Sequence, residues 1–507
     1  MHTVHIHVEG RVVFLIEPFP SKRTYRKLQR QWSFTVPNWN WMKDRYPNWD
    51  GRIKLLKHDN LPAGLFWATY RDVEKEEHVK FKISGSKHLD IHSRSHRHWV
   101  VSEKTKDADY RYQNRCVDAI QKKAYKGGGL VLSATGSGKT RMAAQLASRY
   151  KCELLFIVDQ INLLDQAQED IAKHLGEEVG NVGEQKFNLR RVTVATIQTL
   201  SIHSRDPRFQ HWFRNVDIIL IDELHEMLGK RNFNVIDAAK PKLVIGLTAT
   251  LNLKRKHIRL KAYSLCGPVM YEFPLTKGQE MGVLSKGLAV SVQYDNSIRE
   301  LDAYDAKSAY DERIVNNAER NHLISRIVKR AHKLHKYTIV LVDRLKQLEE
   351  ISERLHGIPR RVVAGSYKGT GIPKLDRVES KSRFESGKIR VIIASKVFKK
   401  GVSINRVDVI IDAAGRQSKE DAIQKFGRGV RKHKHKKALI YLDISDIDVY
   451  DKQKRRGPNE GKNWLYTASK RRIRALKAVG IPVIPFRIKS GSREEIKQMF
   501  KQAEDQL

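Results

Sequence analysis

Apolar and polar positions alternate at the start of the chain: Val4, Ile6 and Val8 fall on one face of a strand, with His5 and His7 on the other. Glu9-Gly10 can turn the chain into RVVFLIE, so the first elements read as a β-hairpin. A second hairpin is predicted around YPNWDGRIKLL, where Asp50-Gly51 supplies the turn and Arg52, Ile53, Lys54 and Leu55 alternate after it. Between the two, SKRTYRKLQRQWSF (21–34) reads as a basic helix. Residues 1–105 thus form a small β-rich module in this reading.

From 106 onward, short apolar runs alternate with helix-length segments: LVLS, ELLFIVD, VTVAT, DIILID and LVIGLTAT. Such alternation implies a parallel sheet covered by helices. After 275 the rhythm restarts with TIVLVD, RVVAG, RVIIAS, VDVIIDAA and ALIYLDI. Two consecutive α/β lobes are expected, over 106–275 and 276–450. A charged linker and SKRRIRALKAVG then predict a small basic helical domain over 451–507.

Composition narrows the function. A chain of 507 residues has length for roughly three or four domains. Its 40% hydrophobic share lies in short runs rather than any stretch of about 18 apolar residues, so no membrane partner is expected. The first residues lack the charge, apolar core and cleavage site of an export signal, and a cytoplasmic location is expected. Cys116, Cys152 and Cys266 are far apart, without a CxxC pair, which supports neither a disulfide framework nor a zinc ribbon. A net charge of +39 exceeds what solubility needs and points to a polyanionic partner, nucleic acid first.

The chemistry begins at SATGSGKT. An apolar strand precedes it and a helical pattern follows, so Thr135, Gly136, Ser137, Gly138, Lys139 and Thr140 sit where backbone N–H groups and a helix N-terminus can cradle phosphates. Ser133 stands where the strict phosphate-loop pattern has its first glycine. Lys139 would reach the β- and γ-phosphates, and the Thr140 hydroxyl would hold Mg²⁺. Three strands on, DIILIDELHEM ends at Asp222 and Glu223: the first can hold Mg²⁺ through water, and the second, at the same metal site, can deprotonate the attacking water. His225 follows as a polar contact or a helix-start residue. In AIQKFGRGVRK, Gln424, Arg428 and Arg431 offer positive and polar groups to a phosphoryl-transfer transition state, or simply a basic surface.

In this order the segments resemble the superfamily 2 helicases and translocases over about residues 110–445. ATGSGKT is similar to motif I, DELH to motif II, TAT (Thr248 to Thr250) to motif III and QKFGRGVR to motif VI. The resemblance implies two tandem RecA-like lobes, ATP and Mg²⁺ as cofactors, and Gln113 on the adenine edge. It also implies that the Thr248 and Thr250 hydroxyls couple nucleotide state to the bound strand. Looser matches to motifs Ia, Ib and V place Gln160, Thr196, Gln198, Ser395 and Lys399 on nucleic acid, with Gly401 beside the nucleotide. Within the superfamily NWDGRIKLL, LPAGLF and LTATLN resemble the phage UvsW-type recombination helicases, which implies host cytoplasm, 3′ to 5′ movement and Arg52 and Lys54 on duplex or junction DNA.

The expectation is therefore a monomeric, DNA-dependent ATP hydrolase acting on single-stranded and branched DNA such as forks, D-loops and four-way junctions. An RNA helicase or restriction-linked duplex translocase is the first alternative. A nucleic-acid-binding protein with a degenerate nucleotide site is the second.

Overall fold

In the computed structural model, which describes residues 2–85, 109–150, 152–183, 186–203, 206–295, 306–363, 377–395, 405–416, 418–446 and 464–507, the front hairpin forms as the alternation predicts. Strand β1 (His2–Glu9) runs antiparallel to β2 (Val12–Leu15), with Ile6 opposite Leu15 and the turn at Gly10. The basic helix Lys22–Gln31 starts on Ser21, whose Oγ accepts from Thr24 N. The second hairpin differs from expectation. After the Asp50-Gly51 turn, β4 (Arg52–Lys54) pairs not with the residues just before it but with β3 (Ser33–Thr35), Phe34 lying opposite Ile53. Gly51 has φ 70 and supplies the turn, yet local turn chemistry did not fix the partner strand.

Strands β5 (Asn60–Pro62) and β6 (Val79–Gly85) complete a four-stranded sheet in the order β5-β2-β1-β6. Its buried face carries Val4, Ile6 and Val8, and packs with Leu28 and Phe66 from the two helices of the module and with Trp32, which ends the first of them. Contacts divide the chain into two units, Met1–Pro274 and Leu275–Leu507, so this module belongs with the lobe that follows it. A Cβ on Gly64, in the helix Ala63–Glu77, would meet Gly267 Cα at 2.7 Å, and Leu260 joins the module's core. Close backbone approach at that pair needs glycine on both sides.

The first lobe contains β7 (Gly128–Ser133), β8 (Glu153–Val158), β9 (Gly180–Gly183), β10 (Lys186–Asn188), β11 (Val192–Thr196), β12 (Val216–Ile221), β13 (Leu243–Thr248) and β14 (Val269–Phe273). The sheet order is β10-β9-β11-β8-β12-β13-β7-β14, parallel except for the β9–β10 hairpin at its edge. The inner strands β8, β11, β12 and β13 are buried on both faces, as helix-covered parallel sheets require, while the edge strand β10 is not.

In the second unit lie β15 (Lys286–Tyr294), β16 (Thr338–Leu341), β17 (Arg360–Val363), β18 (Val391–Ala394), β19 (Val409–Asp412), β20 (Ala438–Asp446) and β21 (Val483–Ile488). They form one all-parallel sheet in the order β17-β18-β16-β19-β20-β15-β21. Both lobes are thus RecA-like parallel α/β layers. The tail contributes the basic helix Trp464–Ala478, but also β21 and the helix Arg493–Asp505, whose Ile496, Met499 and Phe500 enter the lobe's core. Its strand extends the lobe's sheet, so these residues join the lobe rather than standing apart. Cys116, Cys152 and Cys266 are free and buried, and burial pushes each thiol up to about 12. Among the described residues no helix is long and apolar enough to cross a membrane.

Candidate functional site

The first lobe's site is built at the C-terminal ends of its central strands. After β7 the chain turns through Gly136 and Gly138, at φ 85 and 78, into the helix Lys139–Arg149. A side chain at Gly138 would put a Cβ 2.7 Å from Gln113 Nε2. Small residues here leave the backbone N–H groups bare at a helix N-terminus, where the dipole favours anions. The departure at Ser133 has a local account: its Oγ lies 2.6 Å from Ser137 Oγ, tying the two ends of the loop. Ser137 is 1% exposed, and its carbonyl accepts from Tyr112 OH at 2.5 Å and from Gln113 Nε2 at 3.2 Å. Tyr112 stacks on Phe273 with centroids 3.8 Å apart and planes at 11°, and burial raises its phenol pKa. Gln113 Oε1 and Thr135 Oγ1 are buried without a hydrogen-bond partner. Buried acceptors of this kind are costly unless something fills them.

Strand β12 delivers the acids. Asp222 N donates to Ile157 O at 2.9 Å, which seats the residue at the end of the sheet. Glu223 then adopts φ 47 and ψ 52, a left-handed backbone that a non-glycine residue rarely holds. Its carboxylate lies 3.6 Å from Lys139 Nζ on one side and 3.5 Å from His225 Nδ1 on the other. His225 Nδ1 in turn meets Thr248 Oγ1 at 3.1 Å. The Thr248 hydroxyl donates to Thr250 O at 3.3 Å and accepts from Thr250 N at 3.2 Å. A polar chain therefore runs from the phosphate loop through Glu223 and His225 to the end of β13. His225, which sequence left open, is its central link.

Thr140, half-buried, opens the same helix as Lys139. The donor set fits a nucleotide with a divalent cation: a hydroxyl and a carboxylate near phosphate-facing N–H groups are hard oxygen ligands of the kind Mg²⁺ takes, with waters and phosphate oxygens completing its shell. The unfilled acceptor of Gln113 fits a purine amino group.

Of the other predicted residues, those of the first lobe follow its strand ends and the rest lie on the front module and the second unit. Gln160 is half-buried after β8, and Gln198 is exposed with its Nε2 on Asp159 O at 3.0 Å. Thr196 is 3% exposed and shares a 2.8 Å contact with Thr199 Oγ1, while Thr248 and Thr250 are also buried. Arg52 and Lys54 are exposed on β4. Ser395 is buried after β18, its N–H donating to Val363 O at 2.9 Å. Lys399 and Gly401 lie outside the described residues.

In the second unit the helix Lys419–Gly429 carries Gln424 and Arg428, and Arg431 follows it; all three are half-buried. What sequence missed is how firmly this helix is held. Lys425 Nζ donates to both Asp412 oxygens at 2.9 and 2.8 Å and pairs with Asp421 at 3.0 Å. Tyr441 OH donates to Asp412 Oδ2 at 2.7 Å. Burial alone would raise the Asp412 pKa, but the charges of Lys425 and Arg472 and these hydrogen bonds outweigh it and hold the group well below the usual carboxylate range. Beyond the helix, Lys436 Nζ donates to Gly429 O and to Arg431 O, the second at 3.3 Å, so an amine caps the carbonyl end next to Arg431. Arg472, within the stretch read as a basic helix, is 1% exposed and ion-paired to buried Asp443 at 2.5 Å.

Residues 107–253 match the family "Type III restriction enzyme, res subunit", and residues 319–433 match "Helicase conserved C-terminal domain". The chain is 24% identical to the putative ATP-dependent RNA helicase L396 of Acanthamoeba polyphaga mimivirus, over 82% of this chain and 79% of that protein. It is 24% identical to the DNA 3′-5′ translocase XPB2 of Sulfurisphaera tokodaii, over 76% and 94%. Identity to the ATP-dependent DNA helicase uvsW of Enterobacteria phage T4 is 23%, over 87% and 90%. Among solved structures, a fragment of a putative HsdR subunit of a type I restriction enzyme from Vibrio vulnificus shares the fold with a TM-score of 0.53 at 18% identity, over 75% of this chain and 68% of that one.

Proposed function

Since the chain belongs to the superfamily 2 helicases, which hydrolyse ATP to act on nucleic acid, we propose that it is a DNA translocase that remodels branched DNA, moving 3′ to 5′. Forks, D-loops and four-way junctions are its substrates, a monomer is the working form, and the cytoplasm, of a host cell if the chain is of phage origin, is its location. The observation that carries the reading is the polar chain Lys139–Glu223–His225–Thr248, which joins the phosphate loop to the end of the neighbouring strand. Two of the three relatives above are named for DNA, and both are matched over most of their own length.

Each residue then has a task. The N–H groups around Gly136 and Gly138 receive the phosphates, and Lys139 leaves Glu223 to neutralise them. Gln113 accepts from the adenine amino group through its unfilled oxygen. Mg²⁺, when bound by Thr140 and through water by Asp222, supplies countercharge to the phosphate oxygens. Glu223, released by Lys139, takes the proton of the attacking water. Gln424, Arg428 and Arg431 carry the charge and hydrogen-bond donors that a transferring phosphoryl group calls for. His225 reports the state of Glu223 to Thr248 and Thr250, which changes the grip of Gln160, Thr196 and Gln198 on one strand; Ser395 and Lys399 are the nucleic-acid contacts assigned to the second unit. Backbone contacts of this kind give position without sequence preference.

The test is steady-state ATPase at fixed salt with matched single-strand, duplex, fork, four-way junction and RNA ligands. Greatest stimulation by fork or junction is expected. Greater stimulation by RNA would move the reading to an RNA helicase, the direction in which the mimivirus relative's name points.

A further inference from the structure

The loop joining β3 to β4 is built unlike the rest of the surface. Of the eight large apolar side chains that stand exposed among the described residues, three lie there, Trp41 at 89%, Tyr46 at 44% and Trp49 at 36%, and a fourth, Ile53 at 37%, lies on β4 beside it. Scattered single exposed apolar residues are ordinary, but a cluster is a contact surface. Nor is it loose. Trp39 and Trp49 meet edge to face with centroids 5.0 Å apart, and Tyr46 meets Trp49 edge to face at 6.3 Å. The Trp49 Nε1–H donates to Arg52 O at 3.2 Å, and a Cβ on Gly51 would strike the Trp39 ring at 2.2 Å, so the turn glycine is the floor on which that ring rests. Rings held in this way present flat faces at little entropic cost.

A second observation concerns charge. The helix Lys256–Leu265 packs beside β3, with Lys261 Nζ 5.7 Å from the Phe34 ring centroid. Burial lowers the Lys256 pKa first, and the neighbouring charges of Arg259 and Arg52 lower it further, against a smaller upward pull from Glu76. Cations gathered closely enough to oppose one another's protonation cost stability unless an anion neutralises them. Lys43 and Arg45 add exposed cations among the rings, Arg45 lying 6.0 Å from the Tyr46 centroid. Flat aromatic faces beside crowded cations are complementary to one ligand chemistry, bases joined by phosphates.

We propose that the β3–β4 ribbon is a stacking site for the unpaired bases of a DNA strand, with Trp41 and Trp49 as the platform and Arg52, Lys256 and Arg259 on the phosphates. The inference rests on the nucleic-acid reading above, but needs no turnover of nucleotide. A site that takes bases, set on the module in front of the motor, would engage the strand where pairing has been opened.

The experiment measures binding of the full chain and of Trp41→Ala, Trp49→Ala and the double variant by fluorescence anisotropy. Three DNA ligands of equal length are compared at one salt concentration: a single strand, the same strand made of abasic nucleotides, and a blunt duplex. The double variant is expected to bind the single strand about tenfold more weakly, with its affinity for duplex unchanged. The wild type should bind the abasic strand as weakly as the double variant binds the normal one. Equal affinity of the wild type for normal and abasic strands would overturn the proposal, as would an equal loss on all three ligands. Unchanged unfolding temperature and ATPase without DNA show that the exposed rings were removed without harm to the fold. Absent DNA stimulation of ATPase, with base discrimination intact, would remove the translocase reading and leave the stacking site standing.

Discussion

Each lobe buries one lysine of its motif, and the two are held in opposite ways. Lys139 is 9% exposed and has one long contact, 3.6 Å to a carboxylate that is itself partly exposed. Lys425 is 5% exposed and reaches Asp412 at 2.8 Å, Asp421 at 3.0 Å and nothing negotiable. A buried cation with a single stretched partner can exchange it for a phosphate at small cost. One locked between two carboxylates, the nearer of them completed by a tyrosine hydroxyl, is a fixed strut. The difference separates a group able to change partners from one that keeps a helix, and Arg428 on it, in place.

The comparison can be attacked most strongly at Glu223, the carboxylate paired with Lys139. Glu223→Gln is expected to lower ATP turnover about a thousandfold while nucleotide binding persists, because the amide cannot take a proton. Steady-state hydrolysis beside equilibrium binding of a fluorescent nucleotide checks both halves. Unchanged turnover would remove Glu223 as the base.

Exchanging the lysines separates their roles. Lys425→Met leaves Asp412 buried without its principal partner and should destabilise the second unit by about 3–5 kcal/mol, read as a shift in denaturant midpoint. Lys139→Met removes only a loose, partly exposed pair and should cost under about 1 kcal/mol while abolishing hydrolysis. Equal destabilisation by the two would refute the distinction.

Lys436 sharpens it through pH. Burial pushes this amine down from 10.5 to about 7, against a smaller upward pull from Asp408. Between those values the unfolded chain holds a proton that the folded chain lacks, so stability should rise with pH over that window. The slope is at most about 1.4 kcal/mol per pH unit from this one group. Unfolding midpoints from pH 7 to 9 should therefore climb in the wild type and climb less in Lys436→Met. Parallel curves would place the amine's pKa elsewhere.

How much of this was legible depends on the range of the forces involved. Strands followed at once by a glycine-rich loop or an acid pair carry their signal within a dozen residues, and β7, β12 and β13 with their motifs were readable for that reason. β15 was passed over because its partner β20 lies far along the chain, and β21 because Pro485 interrupts it. As an edge strand, β21 can tolerate the missing N–H. Arg472 looked like surface charge because sequence shows a helix's charge but not the buried carboxylate waiting opposite. The β3–β4 ribbon was misjoined since a turn dictates its own geometry, not which strand returns to pair. His225 was ambiguous until Thr248 was seen within reach of its ring.

The left-handed backbone at Glu223 leaves a mark on how this chain can evolve. Glycine would relax that residue, so the position is one where durability and the base role proposed for it select opposite side chains. A lineage that kept the scaffold for gripping nucleic acid and lost its fuel would be expected to drift to glycine or asparagine there early, gaining robustness as nucleotide turnover fell silent.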